Sequence, residues 1–188
     1  DIYPCLKDII STYKKGTDFS IYMDTDGLIH AGSGLDQVTW MDVRVGDWVA
    51  TPRHGKPVEI NALWYNALCT MDMLQAKFGD NDDSYRQLAS LVKTSFNKRF
   101  WNENTGCLYD VVDEDDDTIR PNQIYAVSLP FTMLDREREK AIVDTVMDKL
   151  YVGCGLRSLD PDHKDYHPIY IGPLSKRDHA YHQGTAWG

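Results

Sequence analysis

QVTWMDVRVGDWVATPRHGKPVEINALWYN, residues 37–66, is the stretch on which the interpretation of the chain depends. It places three tryptophans, Trp40, Trp48 and Trp64, among many side chains of both charges. A core segment would not hold so many charges, and a solvated loop would not hold so many large rings. Flat rings that stack on pyranose faces, beside groups that bind hydroxyls, are typical of a sugar site. An irregular buried loop held by salt bridges is the alternative, and composition leaves both open.

Pro57 separates two differently patterned parts of the chain. Residues 18–57 show short β-type alternation broken by glycines, which predicts an excursion of short strands and loops with a hairpin turn at Asp26-Gly27. Pro57 is predicted to occupy the first position of a helix that carries Glu59 in its first turn. Apolar residues at helical spacing continue that helix to Phe78. Because long excursions are usually functional, the part before Pro57 is a candidate for the site.

Further helices are predicted wherever apolar residues recur every three or four positions. They start at or near Asp1, Ser84, Pro121, Asp135 and Trp187. No strands of the kind that a doubly wound parallel sheet needs lie between these helices. The sequence therefore predicts an all-α fold with a short β-hairpin and loop excursion near residues 18–57. It predicts a hairpin only around residues 21–29, and mostly helix after Pro57.

The charge balance restricts the class of partner. The chain has 188 residues and a net charge of -9, which argues against nucleic acid and against an anionic membrane, because both reward a basic surface. A neutral polyol suits an acidic protein of this kind. No apolar run approaches the roughly 20 residues that a membrane-spanning helix needs. The sequence thus indicates a domain that binds neither nucleic acid nor membrane.

Cysteine and histidine spacing predicts neither a metal site nor a cofactor. The four cysteines, Cys5, Cys69, Cys107 and Cys154, form no CxxC pair, so a zinc knuckle and a dithiol redox motif are unsupported. Four histidines lie between residues 163 and 182, but no HxxxH or HExxH spacing on a predicted helix supports a zinc site. Dispersed thiols in a chain of this size indicate reduced side chains and a cytoplasmic protein.

The polar residues concentrate in segments that precede helices, namely residues 40–59, 120–123 and 177–183. If the helices alternate between an inner and an outer ring, the loops that enter the inner helices meet at one mouth. These segments share arginine, amide, carboxylate and aromatic side chains. We therefore expect them to converge on one site.

Several long motifs resemble one family, the C-terminal amylo-α-1,6-glucosidase domain of glycogen debranching enzymes. The motifs are TWMD (Thr39–Asp42), VGDWVATPRHGKPVEINALWYNAL (Val45–Leu68), IRPNQIYAVSLPF (Ile119–Phe131), GLRSL (Gly155–Leu159) and RDHAYHQGTAWG (Arg177–Gly188). The resemblance covers nearly the whole chain. It implies part of an (α/α)6 toroid of the glucoamylase-like type, and hydrolysis of the α-1,6 glucosyl stub of glycogen or another branched α-glucan with inversion.

The resemblance also assigns roles within the chain. The Asp of TWMD looks like the general acid of the family, which points to Asp42. The family's general base is a Glu in a segment beyond the position of Trp187. Residues 1–188 are therefore expected to be a single partial catalytic domain, about half of the toroid and truncated at both ends. The partner that completes it would be the remainder of the same polypeptide, and the fragment would be inactive alone.

The chemistry sets conditions that Asp42 has to meet. An inverting glycosidase places one protonated carboxyl group beside the glycosidic oxygen and one carboxylate beside the attacking water, roughly 6.5–9.5 Å apart. A general acid must hold its proton near neutral pH, which a weakly solvated setting favours. The neighbouring side chains of Trp40, Met41 and Trp48 are expected to desolvate Asp42.

The candidate substrate-binding residues come from the same polar segments. They are Trp40, Arg53, Lys56, Glu59, Asn61, Trp64, Arg120, Asn122, Gln123, Tyr181, His182 and Gln183. Simpler roles stay open for some of them. Glu59 in a first helical turn favours a capping or hydrogen-bonding carboxylate, Trp64 on a helix stripe is typical of a core residue, and Asn122 suits a cap. For Asp47 we favour an ion pair with Arg53 or Lys56.

Two other classes of function remain open at this stage. One is a non-catalytic carbohydrate-binding or regulatory piece that keeps the pocket without the chemistry. The other is a related (α/α)6 hydrolase that acts on another glycoside. A second carboxylate on the far side of the sugar distinguishes a hydrolase from a binding protein.

Overall fold

The computed structural model describes residues 2–79 and 82–187, except for the side chain of Trp187. Its α-helices are α1 (Tyr3–Lys15), α2 (Val58–Phe78), α3 (Ser84–Arg99), α4 (Tyr125–Ser128), α5 (Arg136–Lys149) and α6 (Leu174–Arg177). Its strands are β1 (Tyr22–Met23), β2 (Ile29–His30), β3 (Val43–Val45), β4 (Trp48–Ala50), β5 (Lys56–Pro57), β6 (Trp101–Asn102), β7 (Cys107–Leu108), β8 (Val111–Val112), β9 (Leu156–Arg157) and β10 (Ala186–Trp187). Short 3-10 turns span Pro121–Ile124 and Asp178–Ala180.

The first predicted helix is confirmed from Tyr3 onward, whereas the predicted start at Asp1 lies outside the described residues. It ends at Gly16, whose φ of 103° lets its amide hydrogen-bond to the carbonyl of Thr12. The start of α5 is also confirmed, because the Asp135 side chain accepts a hydrogen bond from the amide of Arg138. Both helices therefore begin or end where local signals in the sequence place them.

The excursion of residues 18–57 is confirmed as short strands and loops. Strands β1 and β2 form the predicted hairpin across the Asp26-Gly27 turn, and β3 pairs with β4 in a second hairpin. Gly55 and Ala31 form an antiparallel bridge within this region. An added Cβ at Gly55 would lie 2.8 Å from the carbonyl oxygen of Val112, at a φ of +106°. This close approach of two backbones requires glycine.

Helix α2 begins one residue later than predicted. Pro57 is its N-cap rather than its first helical residue, with an extended φ of -70° and ψ of 143°. The reason is that Pro57 belongs to β5 and pairs with Val111 of β8. The helix then packs against α3 to form the core. Leu68, Val92, Phe96 and Phe100 are fully buried there.

The prediction of a hairpin only around residues 21–29 is wrong. Besides β3 and β4, antiparallel pairs form between β6 and β7, between β5 and β8, and between β9 and β10. Each strand in these three pairs has two residues, which is too short to show the alternation that marks a strand. All pairs among the described residues are antiparallel. The fold is thus helix-rich with small β-pairs rather than all-α, and the toroid stays a prediction.

Two other helix predictions need correction. The predicted helix start near Trp187 is wrong, because Ala186 and Trp187 form β10 and pair with Arg157 and Leu156. The helix that was predicted to run from Pro121 toward residue 131 is only a 3-10 turn followed by the single turn of α4. In the described part of the chain, no helix has the length and apolarity to cross a membrane.

Candidate functional site

The loop of residues 36–42 presents Trp40 at the surface of a buried polar network. The Trp40 indole is 45% exposed, yet its Nε1 donates a 2.9 Å hydrogen bond to Oδ1 of the fully buried Asn122. Its ring also meets the His182 ring edge-on at 4.7 Å between centroids. One edge of the indole is therefore fixed, while much of its surface faces solvent.

Asp42 is buried beneath this loop and is 5% exposed. Its Oδ1 accepts hydrogen bonds of 2.8 Å from the amide and from Oγ1 of Thr39. Its Oδ2 accepts one bond of 2.8 Å, from the amide of Val38. These three donors fix the carboxylate and the loop to each other. Oδ1 has two donors, and Oδ2 has one.

The neighbours of Asp42 match the expectation only in part. Met41 is fully buried, so it removes solvent from this loop. Trp48 is 41% exposed and stacks on His179 at 4.5 Å between ring centroids. The expected desolvation of Asp42 by Trp48 is therefore unsupported, and Trp48 belongs to an outer surface.

A buried ion triad of Arg53, Glu59 and Asp110 lies at the centre of the network. The Arg53 guanidinium donates from both terminal nitrogens to the two carboxylate oxygens of Glu59. Its Nε donates to Oδ2 of Asp110 at 2.7 Å. Burial opposes a charged guanidinium, but the charges of Asp110 and Glu59 outweigh it and raise the pKa of Arg53. The triad is therefore a fixed, charged element.

Two sequence expectations about charged residues near this triad have different outcomes. Of the two roles expected for Glu59, a cap or a hydrogen-bonding carboxylate, the structure shows the second, because Arg53 donates to both of its oxygens. The expected pair of Asp47 with Arg53 or Lys56 is wrong. Asp47 lies in the exposed β3–β4 turn, 4.0 Å from a terminal nitrogen of Arg44. The local spacing suggested a neighbouring pair, but Arg53 is bound by Asp110, which lies 57 residues away between β7 and β8.

Asp110 is the hub that sequence reasoning missed. It is 2% exposed, and its Oδ1 accepts a 2.8 Å hydrogen bond from Nδ2 of Asn122 in addition to the bonds from Arg53. The charged side chain of Arg120 lies close by, with its Nε 3.9 Å from Oδ2 of Asp110. Asp110 lies beside an acidic run that is typical of a solvated loop. The signal that could have identified it is the apolar pair Val111 and Val112 directly after it.

Arg120 connects the network to the 180s segment. One of its terminal nitrogens donates to the carbonyl oxygens of Ser158 and His182, at 3.1 and 2.8 Å. The other donates to Oε1 of Gln183 at 3.2 Å. Burial lowers the pKa of Arg120, although Asp110 opposes this effect. The guanidinium of Arg120 thus binds two other predicted site residues, His182 and Gln183.

Gln123 and Tyr181 take supporting positions. Oε1 of Gln123 accepts from the amide of Leu108 at 3.3 Å, so this side chain fixes the strand that precedes Asp110. The carbonyl oxygen of Tyr181 accepts from Oγ1 of Thr51 at 2.8 Å. The Tyr181 ring is partly exposed and meets the His182 ring edge-on at 4.4 Å.

His182 is 2% exposed and has a φ of 54°, in the left-handed region. Burial lowers the pKa of its imidazole to about 4, and the charges of Arg120 and Arg53 act in the same direction. The rings of Trp40 and Tyr181 pack against it. His182 is therefore neutral at physiological pH and serves as an aromatic support.

We expect the stability of the fold to fall by about 2 kcal/mol through His182 alone between pH 7 and pH 5. The unfolded histidine takes up a proton near its ordinary pKa of 6.5, whereas the folded one resists until about pH 4. The stabilisation that the neutral imidazole of His182 contributes is thus complete above pH 6.5 and is lost as the pH falls through 4. Urea unfolding of wild type and of His182→Gln at both pH values measures it as the change in their stability difference.

The matched control is Phe19→Ala, which changes an exposed ring that does not titrate. Its stability difference from wild type should be the same at both pH values. Carboxylates that titrate over the same range affect all three proteins equally, so they cancel in each difference. A His182→Gln difference that is independent of pH would contradict the assignment of a depressed pKa.

Lys56, Asn61 and Trp64 are not brought to this network. Nζ of Lys56 binds Asp24 and Asp26, at 2.7 and 2.9 Å. Asn61 hydrogen-bonds both backbone groups of Ile29, at 2.7 and 3.1 Å.

Trp64 is 6% exposed and donates from Nε1 to the carbonyl oxygen of Gly27 at 3.0 Å. It lines an apolar cleft of about 250 Å³ between α1 and α2. The expectation that it shares a concavity with Asp42 therefore lacks structural support. These contacts attach the β1–β2 hairpin to α2.

Within residues 2–79 and 82–187, no group of three or more His, Cys, Asp or Glu side chains is arranged to hold a metal ion. All four cysteines carry free thiols. Both oxygens of Glu59 and of Asp110 accept hydrogen bonds from Arg53. What the arrangement offers a ligand is a rigid, exposed indole beside Asp42, backed by an immobile polar network. Such a surface binds and orients a flat, neutral, hydroxyl-rich molecule.

Comparisons with known proteins agree with this chemistry. The family model described as amylo-alpha-1,6-glucosidase matches residues 1–188. The glycogen debranching enzyme of Saccharomyces cerevisiae is 28% identical over 222 residues, which cover 92% of this chain and 14% of that enzyme. The chain therefore spans about one seventh of the length of this curated relative.

A solved structure supplies a comparison of the fold. The crystal structure of a GH78-family rhamnosidase of Bacillus sp. GL1 superposes with a TM-score of 0.57 at 20% identity. The superposition covers 77% of this chain and 14% of the rhamnosidase. At this level of identity the likeness concerns the fold alone.

Proposed function

This chain belongs to the amylo-alpha-1,6-glucosidase family, and on that basis we propose that it is part of a glycoside hydrolase that removes α-1,6-linked glucose stubs from branched α-glucans such as glycogen, with inversion. The observation that carries the proposal is the geometry of Trp40. An indole that is 45% exposed and hydrogen-bonded to a fully buried amide has lost its freedom before any ligand arrives. A ring fixed in this way stacks on a pyranose at a small entropic cost.

Asp42 is the proposed general acid. It lies two residues from Trp40, in the loop whose amides it binds. A proton on Oδ2 would leave both hydrogen bonds from Thr39 to Oδ1 in place. Thr39 is then a positioning residue, because its amide and hydroxyl together orient the carboxyl group.

The general base is proposed to come from the remainder of the polypeptide. Glu59 and Asp110 are the other carboxylates of the network, and Arg53 holds both of them as ion pairs. A carboxylate held by a guanidinium in this way is fixed in place in the buried network, so neither Glu59 nor Asp110 is proposed as the base that activates water. The 188 residues are accordingly proposed to be inactive alone, and the complete enzyme is proposed to be cytoplasmic.

We expect Trp40→Ala to weaken glucan binding by on the order of 1 kcal/mol, because it removes the stacking ring and leaves the polar network in place. Isothermal titration calorimetry of isomaltose and of a limit dextrin, with the full polypeptide, measures the affinity. Trp40→Phe keeps a ring but loses the bond to Asn122, so its affinity should lie between those of Trp40→Ala and wild type. Unchanged affinity for Trp40→Ala, with an unchanged melting temperature, would remove Trp40 from the site.

A non-catalytic carbohydrate-binding role is the second candidate, and one observation favours it. Asp42 already accepts three hydrogen bonds from its own loop. A carboxylate whose only task is to hold Trp40 in place would look the same. Binding and glucose release must therefore be measured separately in Asp42 variants.

A further inference from the structure

A second exposed tryptophan, Trp48, has no part in the network around Arg53. It is the first residue of β4, opposite Val45 in the register of the β3–β4 hairpin. The two residues after it, Val49 and Ala50, are buried, so the strand itself is anchored. The indole is nevertheless 41% exposed. A single exposed ring is ordinary on a protein surface, so its meaning depends on what orients the ring.

The Trp48 ring is oriented by a histidine. Its indole stacks on His179 with 4.5 Å between ring centroids and 24° between the planes. His179 belongs to the 3-10 turn of Asp178–Ala180. Oγ1 of Thr51, directly after β4, donates to the carbonyl oxygen of Tyr181 at 2.8 Å, which ties the hairpin to the end of this turn. We call the stacked pair of Trp48 and His179 the outer platform.

The outer platform and Trp40 are linked through one short segment. His179 supports Trp48, and His182, three residues later, supports Trp40. Three residues span at most roughly 11 Å even when fully extended. Tyr181 lies between these two histidines in the chain, with its ring against His182. The two exposed indoles are therefore held by neighbouring points of the same turn, within reach of one oligosaccharide.

The polar groups around the outer platform suit a neutral, hydroxylated ligand. Arg44 and Asp47 lie in the same hairpin, with 50% and 102% of their side chains exposed. Tyr170 donates to Asp178 at the other end of the turn. Donors and acceptors of both charges beside a ring match sugar hydroxyls better than they match an anion, which the net charge of -9 would repel.

We propose that Trp48, backed by His179, is a second stacking position that takes a further glucose unit of the same α-glucan whose branch end lies at Trp40. This inference rests on the proposed function, because it assumes a glucan at Trp40. According to this proposal, Trp48 makes the affinity depend on the length of the glucan. A short ligand reaches Trp40 alone, and a longer one reaches both rings.

The test compares a short and a long ligand on the full polypeptide by isothermal titration calorimetry, with isomaltose and a branched limit dextrin as the probes. Trp48→Ala should weaken binding of the limit dextrin roughly five- to tenfold and change the affinity for isomaltose less than twofold. Trp48→Tyr keeps a stacking ring and should restore most of the affinity for the limit dextrin. Phe19→Ala, which removes a ring that is 62% exposed elsewhere on the surface, is the matched control and should change neither affinity.

The outcomes separate this inference from the proposed function. If wild type binds both ligands and Trp48→Ala weakens neither, or weakens both equally, the outer platform is not a glucan position. If Trp48→Ala lowers the melting temperature without any length-dependent loss, Trp48 packs against another part of the polypeptide and the inference is overturned. If wild type binds neither ligand, the proposed function itself fails, and the outer platform fails with it.

Discussion

Asp42→Asn is expected to remove nearly all glucose release from a branched substrate while glucan binding persists. Positioned general acid catalysis is worth ~10²–10⁴-fold, and a leaving group as poor as a sugar hydroxyl puts the loss at the upper end of that range. Asparagine keeps the shape and can still accept both bonds from Thr39, so it costs the loop only the bond from the Val38 amide. The rate of glucose release from a limit dextrin by the full polypeptide measures the effect.

A second substrate distinguishes the acid from other roles. α-Glucosyl fluoride needs no proton on its leaving group, so its hydrolysis by Asp42→Asn should fall much less. Asp8→Asn changes an exposed carboxylate on α1 and should leave both rates unchanged. A rate of glucose release from branch stubs within about threefold of wild type would be a far smaller loss than removal of a general acid causes. In that case Asp42 only holds the loop, and the carbohydrate-binding role becomes the better proposal.

Arg53→Met is expected to cost about 3–5 kcal/mol of stability, because it leaves Glu59 buried without a cation and Asp110 with only Arg120, 3.9 Å away. Glu59 and Asp110 are each 2% exposed, and Arg53 donates to both. Methionine fills much of the space of the arginine stem, so the loss is mainly electrostatic. Urea unfolding at pH 7, monitored by tryptophan fluorescence, measures the free energy of unfolding.

Two comparisons make the Arg53 result specific. Arg44→Met breaks an exposed pair with Asp47 and should change stability by less than about 0.5 kcal/mol. The double change Arg53→Met with Glu59→Gln removes the charge that Arg53 alone compensates and keeps Asp110 as the counter-charge of Arg120, so it should recover much of the loss. A loss below about 1 kcal/mol for Arg53→Met alone would mean that solvent reaches the triad.

The long helices were predictable from the sequence, because their apolar spacing repeats over many turns and their ends carry local signals. Gly16 ends α1, and Asp135 caps α5. The two-residue strands were not predictable, since a pair such as Cys107 and Leu108 has no period to detect. Their pairing is decided by tertiary contacts, as in the register between Pro57 and Val111.

The candidate site, too, was predictable from the sequence only in part. Arg53, Asn122 and His182 were expected to converge, and one network joins them, because each lies in a polar loop with an aromatic neighbour. Asp110 escaped detection because its role depends on a guanidinium 57 positions earlier. Trp64 was placed in the site, yet its N–H binds the carbonyl oxygen of Gly27, and only the docking of the hairpin decides that contact.

The hydrogen bonds that hold the Trp40 loop join residues that are far apart in the sequence, and this determines when the loop can form during biosynthesis. Trp40 binds a residue 82 positions later, and Thr51 binds one 130 positions later. Helices α1 to α3 can pack on the ribosome as soon as they emerge, but this loop cannot close until the segment around Tyr181 has been translated. Until that segment has been translated, the indoles of Trp40 and Trp48 lack their histidine supports. We expect the nascent chain to be most vulnerable over that interval, because unfinished aromatic surfaces are prone to aggregate.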